Sequence, residues 1–306
     1  MSMKILVTGG AGFIGSNLCT NLIEKKHNVK ILDDLSTGLK QNLPVDTEFI
    51  EGTILDKDLV SSIIKDCDAI VHLAARGSVP RSIRNPKATH DINATGTQII
   101  LECAREVNCH VIFSSSSSVY GLNTALPKNE GMVLKPATPY AASKMAGEGL
   151  ALSYALSYGL PVTVLRFFNV FGPKQRADHE YAAVIPKWIN KCINGEEIQV
   201  FGDGSQTRDF TYVDSVNNVI IDSLEIPIIH PEPINLAFGN KISLNQVINL
   251  LRVQFPKLKV KFEKNRPGDI MHSENNPELI DSLFGTTNHL IFEECLNKTV
   301  NWMIKN

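Results

Sequence analysis

The sequence predicts a doubly wound parallel α/β sheet followed by a smaller C-terminal lobe. Short apolar, β-branched runs recur through the first half of the chain, and the segments between them are long enough for helical crossovers. Each run is nearly continuous in hydrophobicity, which is typical of strands covered on both faces. The runs are Ile5–Val7, Val29–Leu32, Phe49–Ile50, Ala69–Leu73, Val111–Phe113 and Val162–Leu165.

The pattern changes after about residue 172, where loops rich in proline, glycine and charge appear. We predict a helix near Ala182–Ile193 and strands at Ile198–Phe201, Ile234–Ala237 and Val260–Phe262. We expect Ala237 and its neighbours to return to the first sheet. The expected domains are therefore 1–172, joined by part of 208–240, and a smaller lobe over 173–306.

Composition narrows the class of protein. A net charge of −2 does not indicate a surface that binds nucleic acid or membranes. The 43% of hydrophobic residues is enough for a large core. The six cysteines form no C-x-x-C pair and the eight histidines show no ligand spacing, so we expect free thiols and no metal. No apolar run approaches the roughly 20 residues that span a bilayer. Since the chain leads directly into a strand at Lys4, we expect no signal sequence and a soluble, cytoplasmic protein.

Three glycines mark a dinucleotide site. Gly9, Gly12 and Gly15 follow the first strand and open an apolar helix with the spacing G-x-x-G-x-x-G. Such a turn lets the backbone approach a pyrophosphate at a helix N-terminus. Asp33 ends the second strand about 20 residues on, where a carboxylate accepts the adenosine ribose hydroxyls and disfavours a 2′-phosphate. The sequence therefore predicts NAD rather than NADP, with Asp34 as an alternative carboxylate.

The end of the fourth strand carries small residues suited to lying under the cofactor. These are Ala74 and Ala75, which follow Leu73. A purely structural role for the alanines remains open.

Tyr140 and Lys144 are the predicted catalytic pair. Thr138 caps a helix and Pro139 fits its first turn, so the pair lies one turn apart on one face. An ammonium about 4 Å from the phenol would lower its pKa from about 10 towards neutrality. Lys144 is also long enough to hold the nicotinamide ribose. Ser116, within the serine run that precedes Tyr120, would share a substrate hydroxyl with Tyr140.

Several motifs in order carry a resemblance over nearly the whole chain. They are TGGAGFIG, LDDLSTG, HLAA, SSSSSVYG, PYAASK, RFFNVFG, GDGSQTRDFTYV and RPGD. The chain resembles the extended short-chain dehydrogenase/reductase family, and within it the nucleotide-sugar 4-epimerases of the UDP-glucose/UDP-galactose type. The segments GSVPRSI and YAAVIPK make it most similar to bacterial UDP-N-acetylglucosamine 4-epimerases.

The resemblance implies a role for each matching residue. It makes Ser116, Tyr140 and Lys144 the catalytic triad, and it places NAD against Gly9, Gly12, Phe13, Ile14, Asp33 and Asn93. It assigns a diphosphate oxygen to Asn169, the uracil side to Val200, a diphosphate clamp to Arg208 and Arg266, and the uridine ribose to Asp269. It also implies a homodimer formed by helices near Ala94–Val107 and Tyr140–Tyr158.

The residues after Ser116 bear on the reaction. Related dehydratases have Asp and Glu there and decarboxylases a Glu, whereas this chain has Ser117 and Ser118. We therefore expect an NAD-dependent epimerase that inverts C4 of a UDP-hexose through a 4-keto intermediate. The alternatives are a dehydratase or decarboxylase of the same fold, or a non-catalytic NAD-binding protein, which would be expected to lose the triad.

Three small residues bear on the sugar. Strict UDP-galactose enzymes have a bulky Tyr where this chain has Ser273, and Ala183 and Ser78 would line the same pocket. The space would accept a 2-acetamido group, which favours UDP-GlcNAc/UDP-GalNAc, with UDP-Glc/UDP-Gal as a further pair. If Ser273 is simply a loop serine, the substrate is plain UDP-Glc.

Overall fold

A computed structural model describes residues 2–45, 47–178, 182–226, 229–264 and 271–306. The chain divides into two compact units. Unit 1 runs up to Thr124 and includes Glu130–Phe167 and Asn217–Leu236. Unit 2 consists of Ala125–Asn129, Phe168–Val216 and Ala237–Asn306.

Unit 1 contains a seven-stranded parallel sheet, which confirms the predicted fold class. The strand order is β11-β6-β5-β4-β1-β2-β3. The strands are β1 Lys4–Thr8, β2 Asn28–Asp33, β3 Glu48–Glu51, β4 Ala69–His72, β5 His110–Ser116, β6 Val162–Phe167 and β11 Ile234–Leu236. All six runs predicted in the first half are strands, and the run predicted at Ile234–Ala237 forms β11 beside β6.

Helices connect these strands. They are α1 Phe13–Glu24, α2 Lys57–Ile64, α3 Val79–Arg84, α4 Pro86–His90, α5 Thr97–Val107, α6 Pro139–Tyr158 and α8 Val213–Glu225. A π-helical segment, Asp91–Gly96, leads into α5, and single 3₁₀ turns occur at Lys40–Asn42 and Ser117–Tyr120. The predicted start of α6 is confirmed, since Thr138 is its N-cap and Pro139 lies in its first turn.

The core of unit 1 explains why these runs became strands. Leu6, Ile70, Val111 and Val164 are at most 1% exposed and belong to one apolar cluster. The strand register pairs Thr8 with His72 and His72 with Phe113. The loops after β1, β4 and β5 therefore all begin at the carboxyl edge of the sheet, where ligands bind in open α/β folds.

The described part of unit 2 contains short strands and four helices. The strands pair as β7 Val170–Phe171 with β10 Thr211–Tyr212, β9 Thr207–Asp209 with β12 Lys241–Ser243, and β8 Ile198–Phe201 with β13 Val260–Glu263. The helices are α7 Val184–Ile193, α9 Leu244–Gln254, α10 Glu278–Phe284 and α11 Phe292–Lys305. The predicted helix and both predicted strands of this region are found within two residues of their expected bounds.

Three expectations drawn from composition concern the cysteines, membrane-spanning helices and metal ligands. All six cysteines are free, as predicted. In the ranges that the structure describes, no helix is both long and apolar enough to cross a bilayer. The same ranges contain no group of three or more His, Cys, Asp and Glu side chains able to hold a metal ion.

Candidate active site

The glycine turn after β1 is held against the end of β4. Gly9 has a φ of +74°, and a Cβ there would lie 2.7 Å from the Ala74 nitrogen. A Cβ on Gly15 would collide with the Gly9 carbonyl oxygen. Gly12 is the N-cap of α1, and no side chain caps this helix. The first turn of α1, which contains Phe13 and Ile14, therefore presents backbone N–H groups without a side-chain acceptor.

Asp33 closes the same turn from the end of β2. Its Oδ2 accepts a hydrogen bond from the Ala11 N–H at 3.0 Å, and its Oδ1 accepts one from the Leu35 N–H at 2.9 Å. Burial raises the pKa of the Asp33 carboxyl, and the two backbone hydrogen bonds oppose that rise. Asp34 is exposed, and its Oδ1 accepts only from the Ser36 N–H among the described hydrogen bonds.

Ser116 and Tyr140 lie near each other at the carboxyl edge of the sheet. Ser116 ends β5, and its hydroxyl lies near enough to the phenol of Tyr140 to lower the pKa of that phenol. Ser116 Oγ also accepts from the Ser118 N–H at 3.2 Å, which fixes its position at the start of the 3₁₀ turn. Burial raises the pKa of Tyr140 and Ser116 lowers it, so the net shift is upward.

This upward shift corrects the lowered Tyr140 pKa predicted from the sequence. The cause is burial of the phenol, which raises its pKa. Lys144 donates from Nζ to the Ser114 carbonyl oxygen at 2.7 Å. Lys144 is 4% exposed, and burial lowers the pKa of its ammonium to about 8. Its Nζ also lies 5.3 Å from the centre of the Phe113 ring. At neutral pH Lys144 is therefore still mostly protonated, but within reach of titration.

A buried ion pair lies one turn further along α6, and sequence reasoning missed it. Arg166 on β6 donates from Nε to Glu148 Oε2 at 3.0 Å and from Nη2 to Oε1 at 2.5 Å. Ser115, the residue before Ser116, donates to Glu148 at 2.7 Å. Arg166 also donates to the hydroxyl of Tyr120 at 2.8 Å, and Tyr120 donates to Asn235 at 2.7 Å.

This network connects α6 to β5, β6 and β11. Burial would lower the pKa of Arg166, but the hydrogen bond and charge of Glu148 outweigh it and raise the pKa. One signal was available in the sequence: Arg166 is the single charged residue in an otherwise apolar strand, Val162–Phe167.

Asn93 connects the loop after β4 to α6. Its Oδ1 accepts from the Arg76 N–H at 2.7 Å, and its Nδ2 donates to Ser143 Oγ at 2.9 Å. Ser143 in turn donates to the Tyr140 carbonyl oxygen at 2.8 Å. The side chain predicted to contact NAD thus also holds the backbone on both sides of the site. It lies in the π-helical segment, a winding often found at functional sites.

In unit 2, three predicted residues gather around β9. Asn169 donates from Nδ2 to the Asp209 carbonyl oxygen at 3.0 Å. Arg208 donates from Nη1 to the Thr207 carbonyl oxygen at 2.9 Å, and the Ser273 N–H donates to the same oxygen at 3.1 Å. The predicted diphosphate and sugar contacts therefore share one short strand.

Asp209 fixes that strand, and sequence reasoning did not single it out. Its carboxylate accepts from the N–H groups of Gly239, Asn240 and Asn275, all at 3.0 Å. Burial raises the pKa of Asp209 to about 6, although these hydrogen bonds oppose the rise.

The other predicted contacts have different surroundings. Val200 is 0% exposed within β8, so neither its side chain nor its main chain is accessible in this structure. Ala183 is exposed at the N-cap of α7. Ser78 caps α3, its Oγ accepting from the Arg81 N–H at 3.3 Å. Arg266 and Asp269 lie outside the described residues.

The parallel sheet and the glycine turn at its carboxyl edge define a dinucleotide-binding α/β protein of the Rossmann type. The serine, tyrosine and lysine lie at the same edge of unit 1. Comparison with known proteins makes the class more specific: the chain belongs to the NAD dependent epimerase/dehydratase family, whose model matches residues 5–237.

Three similar proteins show the range of this family. A UDP-glucose 4-epimerase of Mycolicibacterium smegmatis is 39% identical over 227 residues, 72% of each chain. A UDP-N-acetyl-alpha-D-glucosaminuronate decarboxylase of Bacillus cytotoxicus is 34% identical over 99% of this chain and 98% of its own. The solved UDP-N-acetylglucosamine 4-epimerase of Methanobrevibacter ruminantium, in complex with UDP-N-acetylmuramic acid, is 37% identical. It covers 99% of both chains with a TM-score of 0.94.

NAD is the cofactor of this family, and the residues of unit 1 fit it. The close approach of Gly9 to Ala74 leaves no room for a Cβ, and the uncapped start of α1 offers N–H groups to a pyrophosphate. The carboxylate of Asp33 at the end of β2 suits ribose hydroxyls. The chain thus has the chemistry for NAD at the turn that the sequence predicts.

Proposed function

We propose that this protein is an NAD-dependent epimerase that inverts C4 of a UDP-hexose through a 4-keto intermediate. The observation that carries the proposal is that the Ser116 hydroxyl lies near the Tyr140 phenol, with the buried ammonium of Lys144 on the same helix as Tyr140. This set can move one proton at a sugar hydroxyl. It stands beside Ser117 and Ser118, where the family's elimination and decarboxylation chemistry would need carboxylates.

NAD, Tyr140, Ser116 and Lys144 each have a separate role in this reaction. When bound, NAD supplies reversible hydride acceptance at C4. Tyr140 takes the proton of the 4-hydroxyl group and later returns it, with the nearby Ser116 hydroxyl sharing that proton. Lys144 stabilises negative charge that develops on the phenol, because its pKa near 8 leaves it charged at neutral pH.

The carboxylate nearest to Tyr140 along α6 is not available as a second acid or base. Glu148 is 3% exposed and is held by Arg166 and Ser115. This supports epimerisation over the decarboxylation named for the Bacillus cytotoxicus relative.

For the nucleotide and sugar, we propose that the unit 2 residues around β9 recognise a UDP-hexose. Arg208 has the fork geometry that grips phosphate, and Asn169 offers a second polar group beside it. Arg266 and Asp269 would complete this role. Ser273 is small and half-buried, which supports room for a 2-acetamido group and hence UDP-GlcNAc/UDP-GalNAc as the main pair.

We also propose a homodimer formed through α5 and α6. Leu156 and Tyr158 near the end of α6 are 80% and 59% exposed, and Val107 at the end of α5 is 38% exposed. A second copy of these helices would cover the apolar side chains. Sedimentation equilibrium tests this: a dimer that Leu156→Glu converts to a monomer supports it, and a monomeric parent protein rejects it.

The reaction is tested by incubating the protein with UDP-GlcNAc, UDP-Glc and UDP-glucuronate, without added reductant, and identifying products by NMR. We expect the C4 epimers of the first two sugars, with UDP-GlcNAc converted faster. Loss of water or CO2 would replace epimerisation by a dehydratase or decarboxylase reaction. A matched variant, Ser273→Tyr, should reduce acetamido turnover selectively; an equal fall for both sugars would reject the role of Ser273.

A further inference from the structure

Arg76 has a buried polar atom for which unit 1 offers no partner. It follows β4 and Ala75, and its backbone is tied to Asn93 by the hydrogen bonds from Arg76 N–H at 2.7 Å and from Asn93 Nδ2 to the Arg76 carbonyl at 3.4 Å. Its Nε is buried, and no hydrogen-bond acceptor for it exists among the described residues. None of the ion pairs of the described chain involves this guanidinium.

The position of Arg76 is fixed from two directions. Two residues before it, the Ala74 N–H donates to Thr8 Oγ1 at 3.2 Å, next to the turn that contains Gly9. On the other side, Asn93 connects its backbone through Ser143 to the Tyr140 carbonyl. The Arg76 backbone therefore lies between the glycine turn and the first turn of the helix that carries Tyr140.

A guanidinium in this position has a clear chemical complement. The Arg76 residue is half-buried, and its buried Nε–H is a charged donor that has no acceptor among the described residues. A buried donor without an acceptor destabilises the protein, more so when it is charged. A diphosphate supplies both the acceptor oxygens and the opposite charge, in the fork geometry that arginine prefers.

We propose that Arg76 binds a diphosphate group at the carboxyl edge of the sheet. Two molecules of this enzyme carry one: NAD and the nucleotide sugar. The first source rests only on the family's cofactor, whereas the second rests on the proposed UDP-sugar substrate. The glycine turn would then hold one face of the diphosphate through backbone N–H groups while Arg76 holds it through charge.

The test is a binding experiment with Arg76→Gln, Arg76→Lys and the control Arg84→Gln, an exposed arginine on α3. One arm measures NAD dissociation from the purified protein by the NAD retained per protomer. The other arm measures UDP affinity for the NAD-saturated protein by calorimetry. For Arg76→Gln we expect binding weaker by roughly tenfold or more in one arm, with a smaller salt dependence than the parent protein.

Each result has a distinct meaning. Weaker NAD retention assigns Arg76 to the cofactor diphosphate, and weaker UDP affinity assigns it to the substrate diphosphate. Arg76→Lys should lose less than Arg76→Gln in the same arm, and it keeps the test informative if the glutamine variant does not fold. If both arms match Arg84→Gln, the proposal is wrong. Since both arms measure binding, a failure of epimerase turnover leaves them unaffected.

Discussion

Two buried cations of unit 1, Arg166 and Lys144, differ in whether a carboxylate is paired with them. Arg166 and Lys144 are 3% and 4% exposed, and both lie beside the end of β5. Arg166 is paired with the carboxylate of Glu148, which raises its pKa. Lys144 donates to a backbone carbonyl instead, and burial lowers its pKa to about 8. The same strand end thus holds one cation that is neutralised and one that is not.

The difference separates a structural charge from a chemical one. Arg166 already has its counter-charge, so it adds cohesion between α6, β5 and β6 and little field at the phenol. Lys144 has no counter-charge in its hydrogen bond, and we propose that its field acts on negative charge developing on Tyr140. Because the Lys144 ammonium is buried without a counter-charge, it destabilises the folded state at neutral pH. Removing Lys144 should therefore lower activity, whereas removing Arg166 should lower stability.

The largest expected effect is on activity, in Lys144→Met. Methionine keeps an unbranched chain of similar length without the charge. We expect kcat for C4 epimerisation to fall by roughly 10²–10⁴, because the phenolate of Tyr140 loses the cation on its helix. Initial rates at saturating NAD measure this. Lys87→Met, which removes a side chain that is 86% exposed, should stay within about twofold. Equal rates for Lys144→Met and Lys87→Met would show that the charge of Lys144 does not act on the phenolate of Tyr140.

The next effect is on stability, in Arg166→Met. This change leaves Glu148 buried without its ion pair, and we expect the free energy of unfolding to fall by about 3–5 kcal/mol. Urea denaturation at pH 7 measures it. The control is Lys25→Met, which breaks an exposed pair with Glu225 and should cost about 1 kcal/mol or less.

A double variant sharpens this result. Replacing both Arg166 and Glu148 by Met should recover much of the loss, because no unpaired charge then remains buried. A double variant as unstable as Arg166→Met alone would mean that packing, and not the ion pair, holds α6 to the sheet.

The third prediction concerns the pH dependence of stability, compared between the parent protein and Lys144→Met. The folded pKa of Lys144 is about 8 against a reference value of 10.5. Below pH 8 both states hold the proton and the burial penalty is complete. Between pH 8 and 10.5 only the unfolded state keeps it, so the stability of the parent protein rises relative to the variant. The full gain is about 3 kcal/mol. Denaturation at pH 7, 8, 9 and 10 measures it, and a difference independent of pH would contradict the buried ammonium.

The smallest expected effect is in Ser115→Ala. This change removes one of the hydrogen bonds to Glu148 and leaves the pair with Arg166 in place. We expect a loss of about 1–2 kcal/mol in the free energy of unfolding. Ser153→Ala on the exposed side of α6 should change it by less than about 0.5 kcal/mol. A Ser115→Ala loss as large as that of Arg166→Met would show that the serine, rather than the arginine, neutralises Glu148.

The parallel sheet was predictable because its strands are nearly continuous apolar runs. The start of α6 was predictable because Thr138 and Pro139 act through local rules of capping. The glycine turn was predictable because a Cβ at Gly9 or Gly15 would collide with backbone. Each of these signals is contained within a few neighbouring residues.

The Glu148–Arg166 pair and the direction of Lys144 were not predictable in this way. Both depend on which strand end a helix side chain reaches after folding, and no local spacing encodes that. The same holds for Arg76, whose unpartnered nitrogen is visible only when its surroundings are known. The upward pKa shift of Tyr140 follows from burial, which a spacing argument cannot supply.

We propose that one site takes the C4 hydrogen from a sugar and returns it to the opposite face. UDP-GlcNAc deuterated at C4, incubated with the protein and analysed by NMR and mass spectrometry, tests this most directly. We predict UDP-GalNAc that keeps its deuterium at C4, with no net reduction of NAD. Loss of the deuterium to water, or a product formed by loss of water or CO2, would contradict C4 epimerisation by this site.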